Sequence, residues 1–237
     1  MAKNFSHLLF DYDNTLGLTE VPAFTACCGV VNSVLTSKGV NVQFTTESLM
    51  ARFVGYSFRK MINELAVEHK FAIADAELEQ LVLDEENAVI AKLAVDIQPT
   101  KGAVSLLQRL VGKFNLSVVS SSALRRVKAC LKGAGEESFF GEQVFSAATY
   151  KSSKPDPRVY IEALKALGIT ADQALAIEDS RTGALAAVAA GITVIGYTGA
   201  YPEHERDHLT QVLLAAGCVT VIHDWADFDK ALAIASA

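Results

Sequence analysis

From Pro99 onward the chain alternates short apolar runs with helical stretches, and this rhythm restricts the fold more than any other feature. Leu116-Ser117-Val118-Val119 reads as a strand ending at Ser120, then Leu124–Leu131 as a helix and Val144-Phe145 as a short strand. A helix over Arg158–Leu167 closes at Gly168, and a strand over Ala174–Ile177 ends at Glu178 and Asp179. Gly183–Ala190 reads as a helix closed by Gly191, and Thr193–Gly196, His204–Ala216 and Val219–Ile222 continue as strand, helix and strand. Strands separated by helices imply a parallel sheet covered on both faces. Leu8-Leu9-Phe10, a short apolar run ending abruptly at Asp11, is expected to be another buried strand of that sheet.

Between Thr19 and Lys92 only helical patterns occur: Val21–Lys38 stopping at Gly39, then Phe58–His69 and Ala76–Leu93. The expected fold is α/β, with a parallel-sheet core built from residues 1–18 and 93–237 and an inserted all-helical cap over residues 19–92. A helical insertion between the first strand and the rest is a natural lid.

The net charge of −6 argues against a broad nucleic-acid-binding surface, which needs clustered Lys and Arg. Cys27, Cys28, Cys130 and Cys218 lack zinc-ligand spacing and read as free buried thiols in a reducing compartment. The run His7–Phe10 is too short for a secretory leader core, and Ala184–Ile195 is too short to span a bilayer and is broken by Gly191. A cytoplasmic protein with no membrane or nucleic-acid partner, a monomer or weak dimer, is expected.

Ligands in open parallel sheets bind beyond the carboxyl ends of the strands. Those ends carry Asp11 and Asp13, then Ser120, then Glu178 and Asp179, while Lys154 follows the Val144-Phe145 strand. Clustered carboxylates repel unless a cation neutralises them, and carboxylate oxygens with phosphate and water suit magnesium. Asp11 and Asp179 are the candidate carboxylate ligands, the Asp13 carbonyl a third, and Glu178 a direct or water-mediated fourth. Asp11 is then the candidate nucleophile toward phosphorus, Asp13 the acid and base, and Ser120 and Lys154 the groups for the non-bridging oxygens. Each piece alone also reads as a turn, cap or solvated loop; their order and shared placement at strand ends favour a site. His204 and His208 read as a solvated helix face.

The four segments resemble the four motifs of the haloacid dehalogenase superfamily. Phe10-Asp11-Tyr12-Asp13-Asn14-Thr15-Leu16 is similar to the first motif, Ser120 to the second, and Lys154 in Ser153-Lys154-Pro155-Asp156-Pro157 to the third. Ile177-Glu178-Asp179-Ser180-Arg181-Thr182-Gly183 is similar to the fourth. The cap's position resembles the helical-cap subgroup, which includes β-phosphoglucomutase and phosphoglycolate phosphatases. The resemblance implies a Rossmann-like core, a mobile cap, Mg²⁺ as cofactor, and a small phosphorylated metabolite as substrate. Arg52-Phe53-Val54-Gly55-Tyr56-Ser57 is similar to that subgroup's substrate loop, so Arg52, Gly55, Ser57 and Arg59 are candidate substrate contacts beside Ser120, Ser121 and Lys154.

Two departures are Asn14 where the subgroup often has Gly, and Leu18 where its hinge often has an acid. The expected activity is phosphomonoester hydrolysis through an aspartyl-phosphate. A phosphosugar mutase is the nearest alternative, disfavoured because Ala23 stands where those enzymes carry His and Phe58 where they carry Arg. Asp13 with Asp179 argues against a metal-free dehalogenase, while pyrophosphatase and phosphonatase activities stay open. The Tyr197–His204 loop follows a core strand and is a candidate edge of the site.

Overall fold

The computed structural model describes residues 3–53 and 56–237. The strands are β1 (His7–Phe10), β2 (Gly17–Leu18), β3 (Gln98–Pro99), β4 (Asn115–Ser120), β5 (Val144–Ser146), β6 (Ala174–Glu178), β7 (Thr193–Tyr197) and β8 (Thr220–Ile222). The helices are α1 (Glu20–Ser37), α2 (Thr46–Phe53), α3 (Phe58–His69), α4 (Asp75–Asp96), α5 (Ala103–Leu110) and α6 (Leu124–Gly133). They continue as α7 (Glu137–Phe140), α8 (Arg158–Leu167), α9 (Arg181–Ala189), α10 (Glu203–Ala215) and α11 (Phe228–Ser236).

By contacts the chain divides into two units, one holding the residues up to Leu18 together with Gln98–Ala237, the other Thr19–Ile97. The first is a Rossmann-like α/β unit whose six strands lie in the order β5-β4-β1-β6-β7-β8, every pair parallel. The chain winds outward from β1 in one direction through β4 and β5, and in the other through β6, β7 and β8. That reversal places the switch point at β1, with β4 and β6 on either side. Register aligns Phe10 with both Val118 and Ile177, so the residues after these three strands emerge side by side. β1 is buried on both faces, as its unbroken apolar run requires. Leu9 packs in a core with Val119, Val159, Tyr160, Ala163 and Ala176, while Phe10 meets Phe140 and Trp225 edge-on.

The second unit is a helical bundle around Val31, Leu35, Leu49, Phe53, Ile62 and Leu65, all fully buried. Helix α4 runs on to Asp96, past the Leu93 at which the sequence pattern stops, and this unit ends at Ile97 rather than at residue 92. Nothing between Leu93 and Ile97 breaks a helix. The stop comes from Pro99, which disfavours helix at Gln98 and itself pairs with Gly17 in β3. No described helix is long and apolar enough to cross a membrane. All four cysteines are free and buried.

One buried acid lies outside the site. Glu136, between α6 and α7, has no exposed surface, and neither of its oxygens accepts a well-aligned hydrogen bond. Burial pushes its carboxyl up to about 7, and the nearby Tyr12 phenol offsets this only partly. The folded protein therefore holds a proton that the unfolded chain releases near pH 4.5, so stability falls as pH rises between the two values and levels off above about 7. Glu136→Gln is expected to stabilise the protein by roughly 3 kcal/mol at pH 8 and by almost nothing at pH 4. Urea unfolding at the two pH values measures this; an equal effect at both would mean that Glu136 does not titrate across this range.

Candidate active site

Asp11 follows β1 directly, and its backbone N–H donates to the Ile177 carbonyl at 2.9 Å, extending the ladder to β6 by one bond. The chain then turns tightly, with the N–H groups of Leu16 and Gly17 both donating to the Tyr12 carbonyl at 3.0 Å. Asn14 sits inside this turn at φ 57°. Only Gly adopts that left-handed conformation freely and Asn tolerates it best among the rest, which explains why Asn14 serves where the subgroup often has Gly. Tyr12, between the two aspartates, is fully buried and turns its ring against Gly17, where a Cβ would come within 2.7 Å of it.

Lys154 joins three strand ends. Its ammonium donates to Asp11 Oδ1 at 2.6 Å, to Glu178 Oε1 at 2.6 Å and to the Val119 carbonyl at 2.8 Å, which uses all three protons. Glu178 is fully buried and also accepts a 2.5 Å hydrogen bond from the Tyr160 hydroxyl. Its other oxygen, Oε2, is buried with no hydrogen bond. Helix α9 covers this carboxylate with Gly183, where a Cβ would lie 1.8 Å from Glu178 Oε2, so no other residue fits. Ser180 caps α9 by accepting from the Gly183 N–H at 3.1 Å.

Asp11, Glu178 and Asp179 each offer an oxygen within 4.8 Å of the others, and all three are buried. Burial drives the Asp11 carboxyl well above its ordinary range; Lys154 opposes this, while Glu178, Asp179 and Asp13 add to it. Asp179 is pushed up to about 7 by burial and by Glu178, against the Tyr201 hydrogen bond and Lys154. Burial works to lower the Lys154 ammonium, but Asp11 and Glu178 together overcome it and hold it above its usual value. Three carboxylates against one ammonium leave a negative, oxygen-lined cluster, the donor chemistry that suits a hard divalent cation.

Asp13 belongs to a second polar group. Its Oδ2 accepts from Ser122 Oγ at 2.8 Å and, at the long distance of 3.4 Å, from Ser120 Oγ. Its Oδ1 pairs with the Arg126 guanidinium at 3.2 Å. Ser120 is fully buried and accepts from the Ser122 N–H, and Ser121 Oγ accepts from the Lys154 N–H at 3.4 Å. The fold thus brings together Asp11, Asp13, Ser120, Ser121, Lys154, Glu178 and Asp179. Sequence reasoning missed Ser122, Arg126 and Tyr160; the only signal was the Ser120-Ser121-Ser122 run itself. His204 and His208 are exposed on α10.

The candidate substrate residues of the second unit have local partners there. Arg52 pairs with Glu68 and lies over the Phe53 ring, and Arg59 pairs with Glu79 at 2.7 Å. Ser57 caps α3 by accepting from the Lys60 N–H at 3.3 Å. Gly55 lies outside the described residues.

A parallel sheet that gathers carboxylates and a lysine at the switch point is the architecture of an α/β enzyme. Residues 8–197 match the family described as haloacid dehalogenase-like hydrolase, and the chain belongs to that family. It is 24% identical over 188 residues to the 6-phosphogluconate phosphatase of Escherichia coli, covering 79% of this chain and 80% of that one. It is 29% identical over 234 residues to a phosphoglycolate phosphatase of Caulobacter vibrioides, covering 96% and 91%. A haloacid dehalogenase family hydrolase from Deinococcus radiodurans, solved with bound phosphate and sodium, superposes with a TM-score of 0.71 at 27% identity. That superposition covers 98% of this chain and 97% of the other.

Proposed function

We propose that this protein is a Mg²⁺-dependent phosphatase that hydrolyses a small phosphomonoester, a sugar phosphate or a phosphoglycolate-like acid, through an aspartyl-phosphate on Asp11. The observation that carries this reading is the junction of Asp11 with Lys154, beside the buried Asp179, at three neighbouring strand ends. The names of the Escherichia coli and Caulobacter relatives and the phosphate held by the Deinococcus protein support it.

The residues that would hold the cation are Asp11 and Asp179 by their carboxylates, Asp13 by its backbone carbonyl, and Glu178 directly or by way of water. When bound, Mg²⁺ supplies charge neutralisation that lets an anionic carboxylate meet an anionic phosphate. Asp11 attacks phosphorus, forming a carboxylate-oxygen-to-phosphorus bond as the ester oxygen-to-phosphorus bond breaks. Asp13 gives the departing oxygen a proton, then takes one from the water that attacks the aspartyl-phosphate and releases Asp11 and inorganic phosphate. Lys154 and Ser120 stabilise the non-bridging oxygens. Glu178 and Tyr160 hold Lys154 in place for that task. Arg52, Gly55, Ser57 and Arg59 of the helical unit are the proposed substrate contacts that would select the leaving group.

Phosphate release is to be measured over hexose and pentose phosphates, phosphogluconate, phosphoglycolate and pyrophosphate, with Mg²⁺ and with chelator. Release from one or a few monoesters that falls to background with chelator is the expected result. Release unaffected by chelator would remove the metal from the mechanism, and release from pyrophosphate alone would change the substrate class.

A further inference from the structure

The loop after β7 is built more rigidly than a surface connection needs to be. Thr198 continues the strand's pairing, its N–H donating to the Ile222 carbonyl at 3.0 Å, and its hydroxyl meets His223 Nδ1 at 2.5 Å. Gly199 lies so close to its neighbours that a Cβ there would fall 2.5 Å from the Tyr197 hydroxyl oxygen and 2.6 Å from the His223 carbonyl oxygen. The Tyr201 N–H closes a turn onto the Thr198 carbonyl at 3.1 Å. Arg206, on the first turns of α10, reaches back with Nε to the Tyr201 carbonyl at 2.9 Å and with Nη2 to the Gly199 carbonyl at 3.2 Å. A planar guanidinium that spans two carbonyls of one turn fixes the turn's orientation as well as its position.

What this clamped turn presents is the Tyr201 phenol, which donates to Asp179 Oδ2 at 2.5 Å. Asp179 itself follows β6 and carries no regular secondary structure that would hold its side chain. The phenol therefore sets the rotation of this carboxylate relative to Asp11 and Glu178, the other members of the acidic cluster.

We infer that Tyr201 is a positioning residue of the cation site, orienting Asp179 through its hydroxyl, with Arg206 holding the loop that delivers it. The inference rests on the metal-dependent reading above. It accounts for three features at once: the aim of the phenol, the double carbonyl clamp, and the glycine at the point of closest approach. Outer groups that orient metal ligands in this way are typically worth 10- to 100-fold in metal affinity.

The test is Mn²⁺ binding to the substrate-free protein by titration calorimetry, for the wild type, Tyr201→Phe and Arg206→Gln. Tyr201→Phe removes one hydroxyl and is expected to weaken Mn²⁺ binding about tenfold or more, with the melting temperature of the metal-free protein unchanged. Arg206→Gln touches neither the phenol nor Asp179, and is expected to weaken binding in the same direction by a smaller factor. Wild-type binding with an unchanged Kd in Tyr201→Phe overturns the inference and leaves the metal site standing. Binding lost in Tyr201→Phe but intact in Arg206→Gln overturns the role given to the clamp. No Mn²⁺ binding by the wild type overturns the metal reading and this inference together.

Discussion

Asp11→Asn is expected to lower phosphate release by about 10⁴-fold or more while leaving the protein folded. An amide cannot form the acyl-phosphate, so the loss falls on turnover and not on substrate affinity. The fold should tolerate the change, because burial already disfavours the ionised form of Asp11 and a neutral amide removes that penalty. Lys154 keeps two of its three acceptors, Glu178 and the Val119 carbonyl. Melting of the metal-free variant at neutral pH should therefore match or exceed that of the wild type. Acid-quenched wild-type enzyme mixed with substrate should carry a hydroxylamine-sensitive phosphate that the variant lacks. Full turnover in a variant whose mass confirms the intact amide would place the nucleophile elsewhere.

The parts of this site that were legible in the sequence are those set by strand ends. β1, β4, β6 and β7 are short and largely buried, and each closes on a polar residue, at Asp11, Ser120, Glu178 and Thr198. Because the sheet is parallel, those endings fall on one edge, and Asp11, Lys154, Glu178 and Asp179 could be assembled without coordinates. The pairing of β2 with β3 could not, since each is two residues long and Gly17 meets Pro99 from far along the chain. The short helix α2 was missed for a related reason, its eight residues being too few to show a period. Ser122 and Arg126 lie one turn apart around the start of α6 and converge on Asp13 only because β4 delivers that helix beside β1. Tyr160 on α8 and Tyr201 beyond β7 reach Glu178 and Asp179 from separate elements, which no local spacing encodes.

Lys154→Met should be the most destabilising change at the site, as well as abolishing turnover. The ammonium lies within 2.6 Å of two carboxylates, and its side chain is only 3% exposed. Methionine fills much the same volume, so the effect is electrostatic rather than a cavity. Breaking a buried pair in this way costs roughly 3–5 kcal/mol, because the partner charges stay behind without compensation. The sign with pH follows from the direction of the shift. Asp11 and Glu178 raise the Lys154 ammonium above its ordinary value, so its contribution is fully present at neutral pH and is lost only as pH rises through that raised value. In the variant Asp11 loses the ammonium that opposes its upward shift and binds a proton more readily, so the deficit at pH 7.5 should shrink toward pH 5. Urea unfolding of the metal-free proteins at both pH values measures this. Adding Glu178→Gln to Lys154→Met should restore much of the stability and none of the activity, since it removes a buried charge without returning the cation that faces the phosphoryl oxygens. A double variant as unstable as the single one would mean that Lys154 holds the fold by packing, and that its charge matters only to catalysis.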